Sequence, residues 1–151
     1  MEIKSRTSQI TSREAQKNID GDFLYPELTY IIRGAVFAVW KELGPAFKEN
    51  IYQKALENEF VKRNIPFTSQ KQINVVYNGK KIGIYRPDFI IDDKILIELK
   101  VLPRLTKLEE KQAWYYLKGT NYKLALLVNF GGQKLQIKRW IYDKAREKYQ
   151  R

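Results

Sequence analysis

Asp88, Glu98 and Lys100 are the residues of this 151-residue chain whose types and spacing could carry chemistry. They stand in the stretch Arg86-Pro-Asp-Phe-Ile-Ile-Asp-Asp-Lys-Ile-Leu-Ile-Glu-Leu-Lys100, with nine residues between the two acids. The apolar runs Phe89-Ile90-Ile91 and Ile95-Leu96-Ile97 fill most of that interval. Charged groups at the ends of buried strands cost several kcal/mol to desolvate unless they find partners. Two carboxylates held together repel each other, and a cation between them removes the repulsion. The chain has no Cys and no His, so the suitable guest is a hard, oxygen-seeking ion such as Mg²⁺ or Mn²⁺. Magnesium usually takes one or two protein carboxylates and completes its shell with waters and phosphate oxygens. A lysine beside it can hold an attacking water or offset charge developing on phosphate. The competing explanation is a surface hairpin whose end charges are simply solvated.

The elements that must position these groups follow from the same stretch. The two apolar runs, separated by Asp92-Asp93-Lys94, predict a hairpin of two buried strands. Opposed residues of an antiparallel pair share a face. A three-residue loop pairs Ile91 with Ile95 and sets Asp88 opposite Glu98, with Lys100 one diagonal step away. A two-residue loop would oppose Asp88 to Leu99 and split the cluster across both faces. The odd-length loop is therefore expected. Pro87 cannot donate to a ladder, so pairing should break or bulge just before Asp88.

A second carboxylate source lies upstream. A helix is expected from about Ala46 to Arg63. At about 100° per residue, Tyr52, Leu56 and Phe60 fall within roughly 60° of Glu49. Phe47, Ile51 and Ala55 widen that apolar arc. Glu49 borders the buried stripe and is a candidate third acid for a metal site, acting through water. Glu59 falls inside the stripe and is expected to pair with Arg86.

Composition narrows the function classes. Hydrophobic residues make up 44% of the chain, enough for one domain with a real core. No run approaches the ~20 apolar residues that cross a bilayer, and the first residues lack an apolar signal core. A cytoplasmic protein is the simplest expectation. Without Cys or His, disulfides, iron–sulfur clusters and most zinc sites are excluded. Lys and Arg number 28 against 17 for Asp and Glu, a net charge of +11, which points to a polyanionic partner, nucleic acid before others. The surplus concentrates after the carboxylate strand, in residues 104–123 and in residues 134–151.

The remaining chain reads as scaffold. Residues 1–26 are expected to form a flexible arm and 27–151 a single domain. Ile31, Ile32, Ala35, Val36, Val39, Trp40 and Leu43 recur at helical spacing over 28–43, and Gly44-Pro45 stops that helix. Strands are predicted over 70–77 and 82–91, joined at Asn78-Gly79. A helix follows over 106–118, capped by Thr106 with Glu109 at its third position. It carries Gln112 and Tyr116 on one face. Strands over 124–130 and 134–140 precede a basic helix formed by the last ten residues.

With these strands placed, the hairpin resembles the PD-(D/E)xK signature of restriction-endonuclease-like nucleases. Residues 28–140 resemble, more narrowly, the small GxxExxY family within that superfamily. The matching stretches are Lys41-Glu-Leu-Gly-Pro45, Glu49-Asn-Ile-Tyr52, Tyr85-Arg-Pro-Asp88, Glu98-Leu-Lys100 and Asn129-Phe-Gly131. Gln112 and Tyr116 match the QxxxY element of the RecB-like branch. The resemblance implies an α/β fold with a mixed central sheet flanked by helices, and Mg²⁺- or Mn²⁺-dependent cleavage of DNA. It implies that Asp88, Glu98, Glu49 and Leu99 hold the metal. Lys100 would position or activate water, and Gln112 with Tyr116 would steady the site or the DNA. The chain departs from the pattern at Ala46, where the family has its first Gly, and at Trp40, where many relatives have His.

Three functions are thus in play: a DNA nuclease, a non-catalytic nucleic-acid-binding module on the same fold, and a structural or toxin-partner protein. Carboxylates beside DNA repel phosphate unless they carry metal, which favours the first. Endo or exo action, the form of the nucleic acid and a homo-oligomeric assembly are left open by sequence.

Overall fold

The computed structural model describes residues 24–143. Two helices come first, α1 (Pro26–Leu43) and α2 (Glu49–Lys62), followed by strands β1 (Phe67–Ser69), β2 (Ile73–Tyr77), β3 (Lys80–Tyr85), β4 (Phe89–Ile91) and β5 (Ile95–Lys100). Helix α3 (Lys107–Lys118) then leads to β6 (Leu124–Asn129) and β7 (Gln136–Ile141). Five strands form one mixed sheet in the order β1-β4-β5-β6-β7, and β2 pairs only with β3 in a separate two-stranded ribbon. Strands β5 and β6 run parallel, and α3 is their crossover.

The helices form where the sequence placed its apolar periodicity. Pro26 opens α1 at the position where a missing N–H costs nothing. Ile32, Ala35, Val36 and Val39 form its buried stripe, and the chain leaves the helix at Gly44-Pro45. In α2 the i, i+4 series Tyr52, Leu56 and Phe60 is buried, while Ile51 remains exposed, as does Phe47 just before the helix, so the apolar arc is narrower than predicted. Helix α3 has its expected cap: the Thr106 backbone N–H donates to Glu109 Oε2 at 2.8 Å, and the Leu108 N–H donates back to Thr106 Oγ1 at 3.3 Å.

The sheet separates two apolar layers by strand alternation. Phe89, Ile91, Ile95, Ile97, Leu99, Leu126 and Val128 pack against α1 and α2. Ile90, Leu96 and Ala125 pack against Leu117 of α3 and Tyr85 of the ribbon. Glu98 and Lys100 alternate with Ile97 and Leu99, so they rise on the α3 side.

Three expectations are corrected here. The segment 82–91 is two strands in different sheets, because Arg86-Pro87-Asp88 breaks the ladder where proline can make no bond. The sequence does not announce strand β1: it is three residues long, too short for its alternation of half-buried and exposed residues to register. Glu59 pairs with Arg63 at 2.8 Å, one helical turn away, rather than with Arg86. The flanking expectations for residues 1–23 and 144–151 lie outside the described residues. Among the described residues no helix is long and apolar enough to cross a membrane.

Candidate active site

The hairpin register is the one that the odd-length loop demanded. Ile91 pairs with Ile95, Ile90 with Leu96 and Phe89 with Ile97. Asp92 and Asp93 take left-handed conformations (φ 50° and 52°), which short polar side chains tolerate, and the Lys94 N–H closes the turn onto the Ile91 carbonyl at 2.9 Å. Asp88 sits one step beyond the last ladder pair and is buried. There its side chain takes the place of a strand partner. Asp88 Oδ2 accepts the Leu99 N–H at 2.7 Å, and Oδ1 accepts from Gln70 Nε2 at 3.0 Å. Its own carbonyl accepts from the Gln70 N–H at 3.2 Å and from Gln53 Nε2 at 3.1 Å. The proline that interrupts the ladder thus frees an amide of β5, and the adjacent aspartate claims it.

Glu98 projects into a cleft of about 260 Å³ bounded by Tyr85 and Arg86 on one side and by Glu109, Gln112, Ala113 and Tyr116 of α3 on the other. Lys100 shares that cleft. Glu98 Oε1 accepts from the Tyr85 hydroxyl at 2.5 Å. The Tyr85 ring stacks on Tyr116, with centroids 4.0 Å apart and planes within 7°. Burial, then the neighbouring Asp88, pushes the Glu98 carboxyl up to about 8, although the Tyr85 hydrogen bond and Lys100 pull the other way. Burial and Glu98 hold the Tyr85 phenol well above its usual range, so it remains a hydrogen-bond donor. Glu49 opens α2. Partial burial and Asp88 raise its carboxyl, and Lys100 opposes the shift. All three acids therefore feel one another.

The ends of the strands are locked by a second set of residues. Asn129 is fully buried and uses both ends of its amide. Its Oδ1 accepts from the Leu102 and Gly131 N–H groups at 2.9 and 3.1 Å, and its Nδ2 donates to the Leu102 carbonyl at 2.9 Å and to Gln136 Oε1 at 3.0 Å. Gly131 passes so close to this loop that an added Cβ would lie 2.4 Å from the Leu102 nitrogen. Between them, Phe130 donates its N–H to the Lys100 carbonyl at 2.9 Å and stacks on Tyr52 with centroids 4.3 Å apart. The Tyr52 hydroxyl in turn donates to the Gly44 carbonyl at the entrance to α2. One chain of contacts thus ties the helix bearing Glu49 to the strand bearing Lys100. Asn129→Ala leaves two half-buried N–H groups and a carbonyl without their partner, so it should cost roughly 3 kcal/mol. Thermal unfolding should then show a midpoint lower by about 5–10 °C; an unchanged midpoint would mean that the lock bears no strain.

The model of the PD-(D/E)XK nuclease superfamily matches residues 26–140. The chain belongs to that superfamily. Its fold is accordingly the restriction-endonuclease-like one, a mixed sheet with helices on both faces. No curated protein matches the chain. Among solved structures it is similar to the crystal structure of an alkaline exonuclease (LHK-Exo) from Laribacter hongkongensis. The two are 14% identical with a TM-score of 0.43, over 62% of this chain and 55% of that one.

Members of the PD-(D/E)XK superfamily generally use divalent metal ions, and the donor set here suits one. Asp88 and Glu98 are carboxylates drawn together without an ion-pair partner: among the described residues, no salt bridge involves either acid or Glu49. The Leu99 N–H points to Asp88, and in a strand the carbonyl of the same residue faces the same way, so Leu99 offers a main-chain oxygen on that side. The three-acid cage is not there, however. Among the described residues no group of three or more His, Cys, Asp or Glu is gathered closely enough to hold an ion. Glu49 is exposed at the tip of α2, in electrostatic reach of Asp88 rather than at its side. Two carboxylates and a carbonyl, completed by water and phosphate, remain a normal magnesium environment. Gln112 and Tyr116 do line the cleft.

Sequence reasoning missed the residues that aim Asp88. Gln70 holds a left-handed backbone (φ 55°) that turns both its N–H and its amide onto the aspartate. Gln53 is steadied by Glu57, which also accepts from Ser69 Oγ at 2.9 Å. Nothing in the spacing of these polar residues marks them out, because their convergence depends on β1. Gln70→Ala removes one donor from Asp88 and leaves the Leu99 bond. Outer-shell losses of this kind typically cost 10–100-fold in metal affinity. Calorimetric titration with Mn²⁺ should show a drop of at least tenfold with little change in unfolding temperature; equal affinity would reduce Gln70 to a bystander.

Proposed function

We propose that this protein is a divalent-metal-dependent deoxyribonuclease of the GxxExxY type, hydrolysing phosphodiester bonds with Mg²⁺ or Mn²⁺. The observation that carries it is the convergence of Glu98 and Lys100 on one cleft, with Asp88 bonded to the Leu99 N–H between them and no ion pair among the described residues to neutralise the acids. Asp88, Glu98 and the Leu99 carbonyl are the groups that would hold an ion, with Glu49 acting through water. A divalent ion bound there would neutralise phosphate charge and acidify the attacking water.

The chain's own groups supply the rest. Lys100, on the same face as Glu98, holds the water or a non-bridging phosphate oxygen and offsets the charge that grows on it. Water adds across the scissile bond: its oxygen joins phosphorus, the opposite P–O bond breaks, and a proton reaches the departing oxygen. Tyr85 fixes the Glu98 carboxyl, and Gln112 with Tyr116 steadies the substrate from α3. The formal charge of +11 supports a polyanionic substrate, and DNA metabolism would set the protein's work in the cytoplasm. A plasmid-nicking assay tests this. Mg²⁺ or Mn²⁺ should support cutting, EDTA should stop it, and Lys100→Met should slow it about 100-fold or more while Mn²⁺ still binds. DNA binding with no cutting in any divalent metal would leave a non-catalytic binding module instead.

A further inference from the structure

The β2–β3 ribbon is not used by the chemistry above, and its surface is unusual. It pairs with no strand of the main sheet. Ile73, Val75 and Tyr85 pack it onto the smaller apolar cluster. Its other residues leave Val76 53%, Tyr77 65%, Ile82 65% and Ile84 49% exposed. Ile82 and Ile84 alternate onto one face, and Asn74 lies opposite Ile84 in register. At the tip, Asn78 and Gly79 make a tight turn at positive φ (49° and 74°), and Lys80 follows. Lys71, Lys80, Lys81 and Arg86 are all exposed, and residues 71–86 contain no acid. The strand is continuous with the cleft, because Ile84, Tyr85 and Arg86 form its wall.

We infer that this ribbon is the substrate grip: it enters the major groove of duplex DNA beside the cleft. The inference rests on the nuclease reading above and names the form of nucleic acid that reading leaves open. The ribbon's own charges are all cationic, with Asp93 across the hollow beside Asn74 and Val76, and an apolar face so flanked suits a polyanion whose groove floor carries methyl groups. Two strands lie about 4.8 Å apart and five residues extend roughly 17 Å, dimensions that fit a groove about 12 Å wide. Ile82 and Ile84 can meet thymine methyls and Asn74 an adenine edge, while the lysines reach phosphates on either side. The A-form major groove is too deep and narrow for such a ribbon, so duplex RNA is disfavoured.

Fluorescence anisotropy of a labelled DNA duplex, in EDTA to prevent cutting, tests the assignment across a salt series. Lys80→Gln with Lys81→Gln should weaken binding at least tenfold and flatten the log–log salt slope by about 2, one counterion for each lost phosphate contact. Ile82→Ser with Ile84→Ser should reduce the preference for DNA over RNA duplex and leave the salt slope alone. Circular dichroism checks that each variant folds. Wild-type binding and slope in both variants would overturn the inference, as would tighter binding to RNA duplex or single strands. A dimer in sedimentation that Ile82→Ser with Ile84→Ser splits, with DNA binding intact, would give the face to a second copy and also overturn it. Wild-type protein that neither binds nor cuts any nucleic acid would instead sink the nuclease reading itself.

Discussion

Asp88→Asn should reduce cleavage about 1,000-fold, the scale on which removal of one preorganised charged group acts, and should leave the fold intact. Asn keeps an oxygen for the Leu99 N–H, and its NH₂ can face a rotated Gln70 amide, so the hydrogen bonds at 2.7 and 3.0 Å both have replacements. It also removes the second largest cause of the raised Glu98 carboxyl, so the metal-free variant should be at least as stable as wild type. Asp88→Ala should inactivate equally and behave differently in every other respect. It leaves a buried backbone N–H with no partner, at a cost of about 1–3 kcal/mol. Its unfolding midpoint should fall by several degrees, while that of Asp88→Asn should not. The comparison separates charge from scaffold: both variants losing the same stability would mean that the Asp88 charge is irrelevant to the fold's strain. Cleavage surviving in Asp88→Asn would remove the aspartate from the site.

How much of this was legible beforehand depended on whether a local rule governed it. The Asp88–Glu98–Lys100 alignment follows from parity alone, since a three-residue loop leaves one outcome and the ladder from Ile91–Ile95 to Phe89–Ile97 obeys it. The α3 cap is equally local, three residues of chain deciding it. Where partners come from afar, sequence reasoning fails. Strand β1 exists because β4 needs an edge neighbour, with Phe67 opposite Ile91, and no three-residue pattern announces that. Gln70 and Gln53 reach Asp88 only once β1 is in place. Glu59 went to Arg63 because an i, i+4 partner is always within reach, whereas Arg86 lines the cleft beside α3. Two of the basic residues also have partners within the fold that spacing could not show: Lys138 meets Glu110 at 3.6 Å and Arg139 Nη2 donates to the Leu24 carbonyl at 2.7 Å. Those contacts brace β7.

The matching motifs also acquire a division of labour that spacing could not show. Glu98 and Lys100 face the cleft, whereas Tyr52, Phe130 and Asn129 face the core and hold the strands that present them. A family signature can therefore mix groups that face an open cleft with groups that face the core. The acidic pair is held close by the second set, and its repulsion is the feature with the plainest measurable consequence.

That consequence is a stability that falls with rising pH until metal is added. Glu98 titrates near 4.5 when exposed and at about 8 in the metal-free fold. Between those values the native state holds a proton that the unfolded chain has lost, so stability decreases as pH rises, by up to about 1.4 kcal/mol per pH unit. Below pH 4.5 this contribution is constant, and above about 8 the full cost is present. Thermal unfolding in EDTA should therefore show a midpoint dropping from pH 5.5 to 8, and Glu98→Gln should flatten that slope. An ion taken up by the carboxylate must displace the proton, so Mn²⁺ binding at pH 7 should release close to one proton, measurable by calorimetry in buffers of different ionisation enthalpy. Apparent affinity should rise with pH toward 8 and then level off. A metal-free midpoint that climbs over this range, together with Mn²⁺ binding that releases no proton, would show that Glu98 is already ionised and that the acids are neutralised by something other than the ion.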